Sequence, residues 1–188
     1  MYRLGFTPWD RMMPAELADI VSGPNALPPG RALDMGSGLG TKAILMASHG
    51  WQVTAIEAVP RAIEEARRRA EKAGVQVDFR RGDVTHLEAL QLQPGYKLVF
   101  DFGCFHGLNR RGRDAYAGGV DALTRPGSTL LMMAFTRAVP PILSPVTEAE
   151  LLQRFSGWKL AWSHASGDDV ASTAARRGAA GWFCLVKQ

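Results

Sequence analysis

The segment Ala32-Leu33-Asp34-Met35-Gly36-Ser37-Gly38-Leu39-Gly40 carries the densest chemistry of the chain. Its three alternating glycines make a turn that can bend sharply and come close to a ligand, because no Cβ intervenes. A helical pattern begins at Thr41, so the amides of its first turn point into the same crevice. Asp34 sets a carboxylate just before the turn. A negative charge there repels a pyrophosphate and suits an ammonium or sulfonium group. The spacing agrees: the glycines fall as G-x-G-x-G, and Thr41 occupies the position that would complete the longer dinucleotide spacing. Glu57, followed by Ala58, ends the next apolar run. An ionised carboxylate there can accept from two neighbouring hydroxyls. The order implies a nucleoside-type ligand. The competing readings are a glycine turn without a ligand and a surface acid after a strand.

Two further acids follow in Gly82-Asp83-Val84 and in Val99-Phe100-Asp101-Phe102-Gly103-Cys104-Phe105-His106-Gly107-Leu108. The pattern D-x-G-x-G-x-G resembles the first motif of class I S-adenosyl-L-methionine (SAM) dependent methyltransferases. The Asp101 segment, with Pro8-Trp9-Asp10 near the start, resembles their small-molecule members of the thiopurine and tellurite-resistance type. The resemblance spans nearly the whole chain. It implies SAM as cofactor and S-adenosyl-L-homocysteine as product. Gly36, Ser37, Gly38 and Gly40 would wrap the amino-acid part, and Asp34 would hold its ammonium directly or through water. A cap on the loop amides is the rival role for Asp34. Glu57 would accept from the ribose hydroxyls. Asp83 would accept from the adenine amino group, and the Val84 amide would donate to a ring nitrogen. Asp101 and Gly103 would lie beside the reacting methyl. One departure stands out: Tyr96-Lys97 occupies the place where the family more often has an aromatic-Asp pair, so an acidic contact there falls to Asp101.

Methyl transfer is an in-line displacement at a sulfonium, for which a protein supplies orientation, a closed site and sometimes a base. His106 is the candidate base, with an ordinary pKa of about 6.5; packing within its loop is the alternative. Asp101 is the second catalytic candidate. His49, His86 and His164 read as surface or helix-end residues. Trp9, Phe105 and Phe135 are candidates for an apolar substrate wall, with Trp9 as a lid and core packing as the rival for Phe135. Residues 136–145 hold three prolines and Arg137, and form the other side of the pocket. Arg137, or the Arg110-Arg111-Arg113 cluster, could meet an anionic acceptor; solvated loop charge is the default. No metal site is expected.

These residues need a scaffold that brings strand ends together. Apolar runs at 31–34, 51–56, 75–80, 98–102 and 129–135 read as strands alternating with helices, which predicts an α/β fold with a mostly parallel, doubly wound, Rossmann-like sheet. Two last strands, 158–163 and 181–186, are expected to form an antiparallel hairpin at one edge, giving about seven strands. Residues 1–27 form an N-terminal lid and helix, with Leu17, Ile20 and Val21 on one face. Ala43, Ile44 and Ala47 line a second helix stopped by Gly50. Pro60 opens a third, with Ala62, Ile63, Ala66 and Ala70 inward, Gly74 past its end, and Glu64–Arg68 and Glu65–Arg69 as i,i+4 pairs. Tyr116, Val120 and Leu123 mark a fourth, ended by Pro126-Gly127. Thr147 and Glu150 form a capping box before the fifth. Every candidate site residue falls at a strand's carboxyl end, where such sheets bind ligands.

At 188 residues the chain reads as one domain, 1–188. Its 46% hydrophobic and 21% charged residues are ordinary for a soluble globular protein. The net charge of +4 is scattered among acids and argues against nucleic acid as a partner. Arg67-Arg68-Arg69 reads as a solvated helix face. Cys104 and Cys184 fit no zinc or disulfide framework and read as reduced thiols of a cytoplasmic protein. No apolar run reaches membrane-spanning length, and the start carries no signal-peptide core. The expected partner is a small aromatic or heterocyclic acceptor methylated at O, S or N, with the protein a monomer or homodimer. The rival functions are an RNA methyltransferase, a SAM-binding module without turnover, and a dehydrogenase.

Overall fold

The computed structural model describes residues 13–24, 26–138, 144–166 and 180–188. Seven strands, β1 (Arg31–Met35), β2 (Gln52–Glu57), β3 (Asp78–Arg81), β4 (Tyr96–Phe102), β5 (Thr124–Phe135), β6 (Trp158–Ala165) and β7 (Ala180–Lys187), form one sheet in the order β3-β2-β1-β4-β5-β7-β6. β1 to β5 are parallel, and β7 runs antiparallel between β5 and β6. The expected sheet and its antiparallel edge pair are both present.

The pleat divides the buried residues into two layers. Leu33, Met35, Val99 and Leu130 face α4 (Arg110–Leu123) and α5 (Glu148–Arg154), packing on Tyr116, Val120, Leu151 and Phe155. Ala32, Ala55, Leu98 and Phe100 face α1 (Ala15–Ser22), α2 (Thr41–Ser48) and α3 (Pro60–Lys72), packing on Leu17, Met46, Ile63 and Ala66. Helices on both faces explain why the central strands are apolar throughout instead of alternating.

The starts of β2 and β3 differ from the sequence expectation for one shared reason, while β4 and β5 begin earlier than expected, at Tyr96 and Thr124. After α2, the Gly50 amide donates to the Ala47 carbonyl and the Trp51 amide to the Met46 carbonyl. After α3, Gly74 donates to Glu71 and Val75 to Ala70 in the same pattern. Both are Schellman caps, with Gly50 at φ +84° and Gly74 at φ +68°. Trp51 and Val75 are thereby consumed by the caps. β2 begins one residue later than expected, and β3 shrinks from 75–80 to Asp78–Arg81.

Three other expectations are corrected. α4 ends at Leu123, before Pro126-Gly127, and β5 starts at once at Thr124. Its pairing shifts between Tyr96↔Thr124 and Leu98↔Thr129, so Pro126-Gly127 lies in an irregularity of the strand. The Ser128 hydroxyl anchors it, donating to the Tyr96 carbonyl at 2.7 Å. Arg68 pairs with Glu65, at 2.6 Å, beside the expected Glu65–Arg69 pair. Thr147 caps α5 as expected by accepting from the Glu150 amide, but the Glu150 carboxylate is engaged by Arg113 and Arg154.

Gly40 caps α2 at φ +79°, and a Cβ there would lie 2.8 Å from the Ala66 Cβ and 3.0 Å from the Phe79 ring. Gly74 is also left-handed, but a Cβ there meets open space. Gly40→Ala should therefore destabilise the fold by about 2–3 kcal/mol and Gly74→Ala by about 1 kcal/mol. Urea unfolding midpoints of the two variants check this; equal losses would contradict close packing at Gly40.

Candidate functional site

The glycine turn leaves β1 and closes on the end of β2. The Gly36 and Ser37 amides both donate to the Ile56 carbonyl, at 3.0 and 2.9 Å. The Gly38 amide donates to Glu57 Oε2 at 2.9 Å, and the Val59 amide to Oε1 at 2.9 Å. Gly40 donates to the Ser37 carbonyl at 3.0 Å. Four amides that could have cradled a pyrophosphate are thus spent inside the protein, and one is spent on a carboxylate. That is poor chemistry for a dinucleotide phosphate. Gly36 is exposed at φ +75°, and a Cβ there would lie 3.1 Å from the Cys104 Sγ. The glycine turn therefore packs against the turn that follows β4.

Asp34 and Asp101 are the penultimate residues of the adjacent strands β1 and β4, on opposite faces of the sheet. Asp34, 3% exposed, lies on the α2 side. The Ala43 amide donates to its carboxyl, and the other oxygen, Oδ2, has no partner among the described residues. Burial pushes its pKa up to about 7, against the pull of Lys42. Lys42, which the sequence reading passed over, is itself buried and lies 4.9 Å from the Phe102 ring centroid. Asp101 is wholly buried on the α4 side. It accepts from the Cys104 amide at 2.7 Å, the Phe105 amide at 3.1 Å and the Tyr116 hydroxyl at 2.8 Å. Burial raises it to about 6 despite these donors. Asp101 thus staples the turn after β4 from beneath.

That turn includes the 3-10 segment Phe105–Gly107. Its two aromatic residues project to different sides, as consecutive residues of a tight turn do. Phe105, expected on a substrate wall, is instead wholly buried in the core, edge-on to Tyr116 at 5.2 Å. His106 stacks on Phe135 with ring centroids 4.4 Å apart, and its Cε1 lies 3.1 Å from where a Gly103 Cβ would stand. Its Nδ1 is buried without a hydrogen-bond partner among the described residues. Burial, and secondarily the Arg113 cation, lower its pKa to about 4, so the ring is neutral at pH 7.

Ala58 is exposed beyond β2. Asp83 is open to solvent after β3; it accepts from the Thr85 amide and hydroxyl, which hold its pKa low. Val84 is buried beneath it. Lys97 donates to the Pro28 carbonyl at 2.9 Å, a structural contact. Arg137 is exposed. Arg113, grouped with Arg110 and Arg111 as a possible anion site, is instead 3% exposed and bonded throughout to protein groups. Trp9 and residues 139–143 lie outside the described residues.

Four buried side-chain polar atoms lack a partner among the described residues: Asp34 Oδ2, Ser37 Oγ, His106 Nδ1 and Trp51 Nε1. Of the first three, Asp34 is the penultimate residue of β1, Ser37 is in the turn after β1 and His106 in the turn after β4. A cleft of about 830 Å³ opens elsewhere, between Trp51, Arg67, Glu71, Gln76 and Asp78, and includes none of the candidate site residues. An unpartnered buried polar group costs about 1–3 kcal/mol, so each of the three weighs on the stability of the free chain. The described residues hold no group of three or more potential metal ligands. None of their helices is long and apolar enough to cross a membrane.

A family model described as "Methyltransferase domain" matches residues 32–127, from β1 through the Pro126-Gly127 irregularity. The ubiquinone biosynthesis O-methyltransferase of Methylocella silvestris is 32% identical over 168 residues, covering 87% of this chain and 57% of that protein. The chain thus spans little more than half the length of that curated relative. Among solved structures, TehB from Haemophilus influenzae superposes with a TM-score of 0.77 at 18% identity, covering 95% of this chain and 63% of that one. The 1,6-didemethyltoxoflavin-N1-methyltransferase of Burkholderia thailandensis, with 1,6-didemethyltoxoflavin and S-adenosylhomocysteine bound, gives 0.67 at 22% identity, covering 85% and 72%. At these identities the structural likenesses show a shared fold.

Asp34 gives a stability prediction. Its pKa rises from 3.8 to about 7 on folding, so the folded state holds its proton more tightly than the unfolded chain. Stability then falls as pH climbs from about 4 to 7 and levels off above. Asp34→Asn should remove that fall and exceed the native protein at pH 8 by on the order of 1–2 kcal/mol, with little difference at pH 4. Urea unfolding across this range checks it; parallel pH profiles would contradict a buried, uncompensated carboxylate.

Proposed function

This chain belongs to the methyltransferase domain family, and from that premise we propose that it binds SAM and methylates an O, S or N atom of a small aromatic or heterocyclic acceptor. The observation that carries the proposal is the set of unpartnered polar atoms around the glycine turn, together with the internal use of that turn's amides. A site with a buried acid and a glycine turn whose Gly36, Ser37, Gly38 and Gly40 amides are already bonded within the protein suits a cationic amino-acid ligand better than a phosphate.

Bound there, SAM would supply a methyl already activated on a sulfonium. The chain's residues would do the rest. Asp34 Oδ2 and Ser37 Oγ are the free acceptor and hydroxyl for the ligand's ammonium and carboxylate. Glu57 keeps unshared lone pairs for the ribose hydroxyls while its two accepted amides fix its orientation. Asp83, held ionised, and the Val84 amide are the adenine contacts. Gly103 lets the backbone after β4 approach the reacting centre at φ +86°. His106, neutral and stacked on Phe135, offers one unprotonated ring nitrogen to an acceptor's O–H, S–H or N–H. A base with a pKa of about 4 orients a lone pair more than it removes a proton. Phe135 forms the apolar wall, and Arg137 stands exposed at its end. The shared fold with an N1-methyltransferase solved with 1,6-didemethyltoxoflavin bound supports a small acceptor.

Isothermal titration with SAM and S-adenosylhomocysteine should give micromolar binding, weakened about tenfold or more by Glu57→Ala. Release of S-adenosylhomocysteine across a panel of phenols, thiols and N-heterocycles then tests turnover. No binding by the native chain would end the proposal. Binding without release on any acceptor would leave a SAM-binding module.

Asp34 also sets a pH dependence. An ammonium beside it favours the ionised carboxylate, whereas in the free protein the group is mostly protonated below about pH 7. Affinity for S-adenosylhomocysteine should therefore rise, by up to about tenfold per pH unit, from pH 5 to 7 and flatten above. Binding at pH 6 should release close to one proton, seen as a dependence of the binding heat on buffer ionisation enthalpy. Asp34→Asn should abolish that release.

A further inference from the structure

Arg113 lies between two segments that border the His106 side of the site. Four of its six hydrogen bonds go to backbone carbonyls. Nε donates to Leu108 O at 3.1 Å and Nη2 to His106 O at 3.1 Å, both in the turn after β4. Nη2 also donates to Ser144 O at 2.9 Å and Nη1 to Pro145 O at 3.4 Å, in the segment leading to α5. The remaining two, at 2.9 and 2.8 Å, go from Nη1 to the Glu150 carboxylate, which Arg154 Nε also holds at 3.0 Å. A planar fork with five donors can face carbonyls on two sides at once; an ammonium cannot hold that geometry.

The contacts close a ring. The segment gripped by Arg113 continues to Val146, whose amide donates to Phe135 O at 2.8 Å. Phe135 stacks on His106, and the His106 carbonyl returns to Arg113. A helix-to-helix ion pair alone would need only Glu150. The four carbonyl bonds bind the turn after β4 to a segment more than 30 residues away.

We propose that Arg113 is a positioning residue that locks the His106 turn and residues 144–146 into one rigid wall, fixing the His106 ring against Phe135. That this wall faces an acceptor rests on the function proposed above; the locking itself does not.

The test compares the full chain with Arg113→Met, Arg113→Lys and Glu150→Gln. Two readouts need no acceptor. Amide hydrogen exchange at Leu108 and at Val146 should speed up together, about tenfold or more, in Arg113→Met, while the Gly36 and Ser37 amides stay unchanged. The His106 ring, followed by NMR, should titrate about one pH unit or more higher in Arg113→Met, and by less in Arg113→Lys, which keeps the charge but not the fork. S-adenosylhomocysteine affinity should stay within about threefold of native. Loosening of only one segment, equal loosening of the glycine turn, or an unmoved His106 titration overturns the proposal. If Arg113→Met does not fold, Glu150→Gln decides: paired loosening at smaller amplitude supports the lock, and unpaired loosening overturns it. Native protein that fails to bind S-adenosylhomocysteine would sink the proposed function, while exchange and titration would still judge the lock.

Discussion

The Ile56 carbonyl and the Glu57 carboxylate take three amides of the glycine turn between them, and the ligand-facing end of the sheet is arranged around those bonds. They pull the turn onto the end of β2 and occupy the Gly36, Ser37 and Gly38 amides. The turn then fits between Cys104 on one side and Ala66 with Phe79 on the other, which is why Gly36 and Gly40 have no room for a side chain. Glu57 also accepts from Val59, at the N-cap of α3. One carboxylate thus joins the exit from β1, the end of β2 and the start of α3. A shift of any of these would carry the others with it.

Two buried acids at the ends of neighbouring strands show how the pleat assigns different work to similar residues. Asp34 and Asp101 are both shielded from water, and burial raises both pKa values. Asp101 is surrounded by two amides and a tyrosine hydroxyl, so its charge serves the fold. Asp34 keeps one oxygen unpartnered among the described residues. A protein tolerates such a group where a ligand completes it, at a cost in stability of the free chain. Ser37 and His106, with free polar atoms of their own, extend that condition from the glycine turn to the turn after β4.

Much of this was legible in the sequence. The strand-and-helix alternation, the glycine turn, the terminal acids and the antiparallel last pair all follow from short-range patterns. The misreadings share a cause. Trp51 and Val75 look like strand residues by composition, yet the caps of the preceding helices claim them. Phe105 and His106 are neighbours in sequence, and only the packing of Tyr116 against the turn decides which goes inward. Arg113 looks like one more surface arginine in a basic cluster, because its partners at Ser144, Pro145 and Glu150 are invisible at that distance along the chain.

The sequence by itself determined where the backbone must bend and which faces must be buried, since a positive φ and an apolar run are local properties of a few adjacent residues. It also set the order in which acids meet the strand ends. Tertiary structure decided which polar groups find partners and which are left without. Satisfaction of a buried donor or acceptor depends on atoms from elements far apart in the chain, brought together only when both faces of the sheet are covered. Among the described residues both Asp101 oxygens find donors and Asp34 Oδ2 finds none, and that difference between two similar acids is set by tertiary contacts alone.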